Sequence, residues 1–344
     1  MAFGTTAVNV LLLVAMAIPG FILVKAKVIK PHAISYFSAV LLYVSQPFLS
    51  IRSFLQVQHT PSLAVNLGIV FLFSLLAQGL IFGVLWAIFA KQFDDPAASR
   101  RLLDEGFLSP HAAAPDADLS ALISKCARGR ACRVFVLAAT FGNVGFFGVP
   151  VLQMLFPSNP EAIAYSAVFI VSMNLMCWTV GSYLLTGEKK YISLKKAVLN
   201  PQMIALVVAL PLFFSGVTTA DLPDAVTKVI SYLADMTAPL CMIILGMRFA
   251  VAPIKELFTD WKVYLSVFIK VLAFPLLVYL VLLPFDSMDR MMKIALVILS
   301  GMPSASINLN LAEIYGADQK TAANNILLST LLSIVTIPVL LLLF

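Results

Sequence analysis

Two stretches decide how this chain folds: FGNVGFFGVPVL at 141–152 and LSGMPSASINLNL at 299–311. Each lies inside a long apolar run, yet each is rich in glycine, proline or small polar residues where a lipid-facing helix would carry Leu and Ile. The first holds Gly142, Gly145, Gly148 and Pro150; the second holds Gly301, Pro303, Ser304, Ser306, Asn308 and Asn310. A broken helix exposes backbone groups that hydrocarbon cannot satisfy, so it survives only inside protein or along a watery cavity. Two such breaks in matching halves of a chain are the best sequence pointer to a binding site at the bilayer midplane.

The bilayer itself is read from composition. Of 344 residues, 61% are hydrophobic and 12% charged, with a mean hydropathy of +0.97. Soluble domains carry about 45–50% apolar and roughly 25% charged residues, so a water-soluble globule is excluded. At about 20 residues per crossing, the apolar content suffices for roughly ten spans. The runs are continuous rather than alternating, which predicts helices and not a β-barrel. Bounded by charge or turn residues, spans 1 to 10 are expected at 5–24, 33–53, 63–90, 133–154, 161–184, 200–217, 223–249, 261–283, 290–312 and 321–343. The stretch 91–132 reads as a loop with one short surface helix. Span 1 has no basic residue before its apolar run and is followed by Lys25, Lys27 and Lys30, so it is expected to remain in the mature protein. Cys126, Cys132, Cys177 and Cys241 make no disulfide framework and are expected to be free.

Charge sets the orientation. Of 23 Lys and Arg, 18 fall on the connections after spans 1, 3, 5, 7 and 9, counted with their flanking span ends, and four on the others; Lys270 lies inside span 8. The positive-inside rule then puts the odd-numbered connections in the cytoplasm and both termini on the extracellular or periplasmic side of the cell membrane. The net charge of +6 is thereby a loop signature, and no nucleic-acid partner is expected.

Prolines disclose a repeat. Pro19 and Pro211 are separated by 192 residues, as are Pro47 and Pro239. Around them Ala17 matches Ala209, Phe21 matches Phe213 and Ser45 matches Thr237. Five spans per half is an odd number, so two tandem halves must face opposite ways. The expected architecture is an all-α polytopic membrane protein of ten helices in two inverted repeats, 1–184 and 200–344, joined by a cytoplasmic linker at 185–199.

The motifs GNVGFFGVP (span 4), LNPQMIALVVALPL (span 6), APLCMIILGMRFA (span 7) and SGMPSASINLNLAEIYG (span 9) carry a resemblance over nearly the whole chain. The sequence resembles the auxin efflux carrier family, the PIN-like carriers and their bacterial relatives, within the wider group that includes the bile-acid sodium symporters. The resemblance implies two inverted five-helix repeats, with spans 4 and 9 crossing at their proline breaks, and transport of organic anions such as auxin or dicarboxylates. The short 185–199 linker points to a prokaryote-type carrier.

A half-helix N-terminus offers free N–H groups and a positive dipole end, which suits a carboxylate. Asn143, Gly145 and Pro150 at the first break, and Pro303, Ser304, Ser306 and Asn308 at the second, are the expected substrate-binding residues. Ser45, Gln46 and Thr237 beside the paired prolines are expected to line the same cavity. No Arg or Lys lies within either break. Asp235 and Lys270, ionisable groups inside spans, are the coupling candidates, either as a buried ion pair or through a coupling proton on Asp235. Arg52 and Glu313, at span ends, are expected to face headgroups or water. Asn310 is expected to be structural, and Asn174, Asn324 and Asn325 to join helices.

Enzyme chemistry is not expected. His32, His59 and His111 all fall in loops or at span edges, and neither HExxH nor GxxxxGK[ST] occurs. No cofactor or metal is expected. The polar residues concentrate at two breaks, which fits alternating access rather than the continuous polar lining of a channel. A sodium-coupled organic anion symporter of the bile-acid type is the alternative. It would need a cluster of carboxylate, amide and carbonyl oxygens, so a proton is the expected coupling ion. The partners are a small organic anion and the bilayer, and a homodimer is compatible with the sequence.

Overall fold

The computed structural model describes residues 15–105, 117–251 and 260–344, together with Val8 and Leu12. Of span 1 as expected from sequence, residues 5–7, 9–11, 13 and 14 lie outside the described residues. In chain order the helices are α1 Ile18–Lys25, α2 Ala33–Gln56, α3 Pro61–Phe89, α4 Pro96–Asp104, α5 Ala117–Thr140, α6 Val144–Leu155 and α7 Pro160–Thr186. There follow α8 Leu194–Val198, α9 Pro201–Phe214, α10 Asp224–Val251, α11 Trp261–Leu282, α12 Arg290–Ser300, α13 Ser306–Ile314 and α14 Gln319–Leu341. Six of these, α2, α3, α7, α10, α11 and α14, are long and apolar enough to cross a bilayer. The bent pair Lys189–Val198 and Pro201–Phe214, at 46°, makes a seventh if it is one span.

The face that α3 leaves open identifies the solvent. Leu63, Leu67, Val70, Phe82 and Leu85 are buried on one side, while Val65, Leu72, Leu76, Leu80 and Ile88 are exposed on the other. A helix apolar on both faces belongs in lipid. In lipid, helices associate through close packing rather than through hydrophobic burial, and α1 and α10 do so backbone to backbone. A methyl group built on Gly246 would lie 1.8 Å from the Ala17 carbonyl oxygen, and one on Gly20 would lie 2.0 Å from that of Ile243.

Prolines follow widened helical turns in a repeated way. A turn of π-helix occupies Leu41–Ser45, Val144–Gly148 and Ile269–Ala273, and each is followed after one residue by Pro47, Pro150 or Pro275. A proline ring clashes with the carbonyl four residues back. Here that carbonyl sits in the widened turn, which accommodates the ring without ending the helix.

The stretch 91–132 is more helical than hydropathy suggests. α5 begins at Ala117, well before the apolar run, because a helix continues past the apolar boundary as easily as it ends there. Arg133 anchors the preceding segment. Its Nε donates to the Asp94 carboxylate at 2.8 Å, its second nitrogen to the Asp94 carbonyl at 2.7 Å, and its third to the Leu184 carbonyl. All four cysteines are free and buried.

Packing pairs recur along the chain. α1 packs on α10 and α9 on α2; α3 packs on α7 and α11 on α14; α3 meets α5 and α11 meets α12. Polar contacts follow the same pattern. Ser74 on α3 hydrogen-bonds Ser172 on α7 at 2.6 Å, and Ser266 on α11, 192 residues later, bonds Asn325 on α14.

Candidate functional site

The two breaks meet. α5 ends at Thr140 and α6 starts after Asn143, while α12 ends at Ser300 and α13 starts after Ala305. Between them the extended residues pair as a single antiparallel bridge, Gly142 with Ser304. The Asn143 N–H donates to the Pro303 carbonyl at 2.6 Å and the Ala305 N–H to the Phe141 carbonyl at 2.9 Å. Backbone groups freed by one break are thus satisfied by the other, as an apolar surround requires. Asn308 ties the crossing further, its Nδ2 donating to Ser304 Oγ at 3.0 Å and the Phe141 carbonyl at 3.3 Å. The Ser304 N–H donates to Ser329 Oγ on α14 at 2.9 Å.

The four half-helix ends are treated differently. The C-termini of α5 and α12, the negative dipole ends, share one cation: Lys270 Nζ donates to the Thr140 carbonyl at 3.1 Å and the Ser300 carbonyl at 2.7 Å. That ammonium also lies 4.8 Å from the Phe274 ring centroid. It abuts Gly142, where a Cβ would come within 2.9 Å of it. The N-termini of α6 and α13 instead face a cavity of about 770 Å³, lined by Asn143, Gly145 and Phe146 from one and Ala305, Ser306 and Ile307 from the other. The backbone N–H groups of Gly145, Ser306 and Ile307 have no hydrogen-bond partner among the described residues. Asn143 caps α6, its side-chain oxygen accepting from the Phe146 N–H at 3.3 Å.

Gln46 reaches the same cavity from α2. It is 95% buried, since only 5% of its surface is exposed, and its Nε2 has no partner. The widened turn before Pro47 and the absence of a side chain at Gly145 let the two segments approach; a Cβ on Gly145 would lie 3.1 Å from that nitrogen. Of the expected substrate-binding residues, Gln46, Asn143, Gly145 and Ser306 line the cavity. Ser45, Thr237, Ser304, Asn308, Pro150 and Pro303 lie off its wall. Ser45 and Thr237 are fully buried, and both hydroxyls lack partners. Asp235 and Lys270 do not pair with each other. Asp235 meets Arg52 at 2.5 Å with its carboxylate largely exposed, because α2 and α10 pack there, while Lys270 sits at the crossing. Among the described residues, no group of three or more His, Cys, Asp or Glu side chains is arranged to hold a metal.

Sequence reasoning assigned other roles to several wall residues. Asn174, Asn310 and Glu313 line the cavity, and so does Arg248 on α10. From sequence, Arg248 belongs to the basic flank of span 7, one residue from its expected end at 249, and nothing local marks it as a wall residue.

A sequence profile described as membrane transport protein matches residues 120–341, well over half of the chain. The chain belongs to this family. It is a transporter family of the auxin efflux carrier type, and its members are multi-pass membrane proteins. An uncharacterized transporter of Methanocaldococcus jannaschii is 28% identical over 207 residues, 59% of this chain and 65% of the relative. A Rhizobium meliloti protein named as a candidate malonate transporter is 27% identical over 215 residues, 58% of this chain and 63% of the relative. The chain therefore spans less than two thirds of the length of either relative.

Proposed function

We propose that this membrane transport protein is a secondary transporter that carries a small organic anion, a mono- or dicarboxylate, across the cell membrane by alternating access. One observation carries the reading: two half-helix N-termini with free N–H donors and the unpartnered Gln46 amide share one cavity. Each N-terminus presents roughly half a positive charge. Lys270 neutralises only the opposite ends, so the field at the cavity favours an anion. At the helix ends themselves the donors are fixed dipoles and amides rather than a charged side chain, which leaves release feasible.

The frame we infer is ten spans in two inverted repeats, 1–184 and 200–344, with the linker at 185–199. The matched packing pairs and the matched Ser74 and Ser266 contacts support it. The cavity wall draws on Pro31, His32, Asn200, Val251 and Glu313, all beside odd-numbered connections. With those connections cytoplasmic, both termini are outside and the state described is open inward. Any coupling is to protons rather than sodium, since a lysine ammonium already occupies the crossing carbonyls that a hard cation would seek. The Rhizobium relative's name supports a carboxylate cargo.

The test is thermal unfolding of purified protein with mono- and dicarboxylates in sodium-free buffer. A carboxylate at 100 times its Kd stabilises the folded state by about 2.7 kcal/mol, so a dose-dependent rise in Tm is expected. No rise with any carboxylate, or a rise only when sodium is present, would contradict the reading.

A further inference from the structure

We infer that Lys270 carries the coupling proton, taking it up when the anion binds and giving it up when the anion leaves. The inference rests on the anion-carrier reading above and names the residue behind its proton coupling. Among the described residues, Lys270 Nζ bonds only the Thr140 and Ser300 carbonyls, lies over the Phe274 ring, and meets no carboxylate. An ammonium has three N–H donors. The carbonyls use two of them, and the third has no acceptor. Removing one proton leaves an amine with two N–H groups for the same two carbonyls, so the crossing keeps both bonds in either form. The exchanged proton is the one that the fold does not use.

No side-chain charge beside Lys270 fixes its form. α11 packs on α5, α12 and α14. The charged residue nearest the crossing on α5 is Arg133, seven residues before Thr140, and on α12 it is Lys293, seven before Ser300. Seven residues are about 10 Å of helix. On α14 it is Lys320, nine residues before Ser329, which bonds the crossing at the Ser304 N–H. On α11 itself Tyr264 and Lys262 lie six and eight residues before Lys270, and Tyr279 nine after. The cavity wall adds His32, Arg248 and Glu313, none bonded to it.

The anion supplies the missing charge. Lys270 Nζ abuts Gly142. Gly145, whose free N–H faces the cavity, is three residues on, a span of at most about 11 Å of extended chain. At an effective dielectric of about 20, opposite unit charges about 10 Å apart bias each other's equilibria by roughly tenfold or more. A bound carboxylate therefore favours the ammonium, and the ammonium favours the carboxylate by the same factor. The step balances. The amine lone pair accepts a proton from the solution on the open side as the anion enters, and that N–H bond breaks as the anion leaves on the other.

Malonate is titrated into the purified full chain in weakly buffered, sodium-free solution, at a pH where malonate is fully ionised. Binding is read by calorimetry and proton uptake by an indicator dye. Wild type should take up protons with malonate, rising toward about one per anion as pH is raised, while affinity falls by up to about tenfold per pH unit. Lys270→Arg keeps the cation, but a guanidinium does not give up its proton, so it should bind malonate with no uptake and a flat pH profile. Lys270→Met should bind more weakly, also without uptake, whereas His32→Gln and Glu313→Gln should retain it. Malonate binding by wild type without proton uptake, or uptake that persists in both Lys270 variants, would overturn the assignment and leave the carrier reading intact. Wild type that binds no malonate at any pH would overturn both.

Discussion

Lys270 joins two helix ends that would otherwise leave carbonyls without donors in a dry interior. Lys270 is 99% buried, and its Nζ is bonded to the Thr140 and Ser300 carbonyls. Replacing it with Met keeps much of the aliphatic volume and removes both bonds, at roughly 1–3 kcal/mol for each orphaned carbonyl. Lys270→Met should therefore lower the unfolding temperature in detergent, and an unchanged midpoint would show that the crossing does not need the cation. At this scale the sequence was partly legible. Gly142, Asn143, Pro303 and Ser306 announced the breaks because lipid-facing helices do not use them. Which side chains turn into the cavity was not legible. Neighbours on a helix differ by about 100°, so Gln46 lines the wall while Ser45 lies off it. Arg248 was hidden because a basic residue near a span end also satisfies the orientation rule, and only the fold shows which face it occupies.

Elements in this protein pack by approach of backbones where glycine permits it. Gly246 on α10 faces the Ala17 carbonyl, whereas nothing lies within 4 Å of a Cβ built on Gly83 of α3. Gly246→Val should separate α1 from α10 and lower stability and yield of monodisperse protein. Gly83→Ala should be tolerated or stabilise slightly, by up to about 1 kcal/mol of helix propensity. Similar behaviour of the two variants in a thermal unfolding series would count against close packing of α1 on α10. Most helices were legible as apolar runs, with ends shifted by a few residues. α5 was not, because Lys125, Arg128 and Arg130 interrupt hydropathy without interrupting a helix. The antiparallel bridge between the breaks was also invisible, since local sequence carries no signal for a pairing across about 160 residues of chain.

Among the described residues, two extended breaks inside the helical bundle meet at one crossing, and apolar helices enclose it. Positive helix ends turn toward a cavity and negative ones toward a resident lysine, an asymmetry that fits a carrier of anions. Asn143 stands at the centre of this arrangement, as the cap of α6 and part of the cavity wall. Loss of its cap costs about 1 kcal/mol of stability, little enough for the protein to remain folded. The most direct measurement is therefore uptake of radiolabelled malonate into sodium-free proteoliposomes, comparing wild type with Asn143→Ala at equal amounts of folded, reconstituted protein. The account predicts saturable uptake by wild type and a loss of about tenfold or more in the variant. Equal uptake by the two would contradict the crossing as the site of transport.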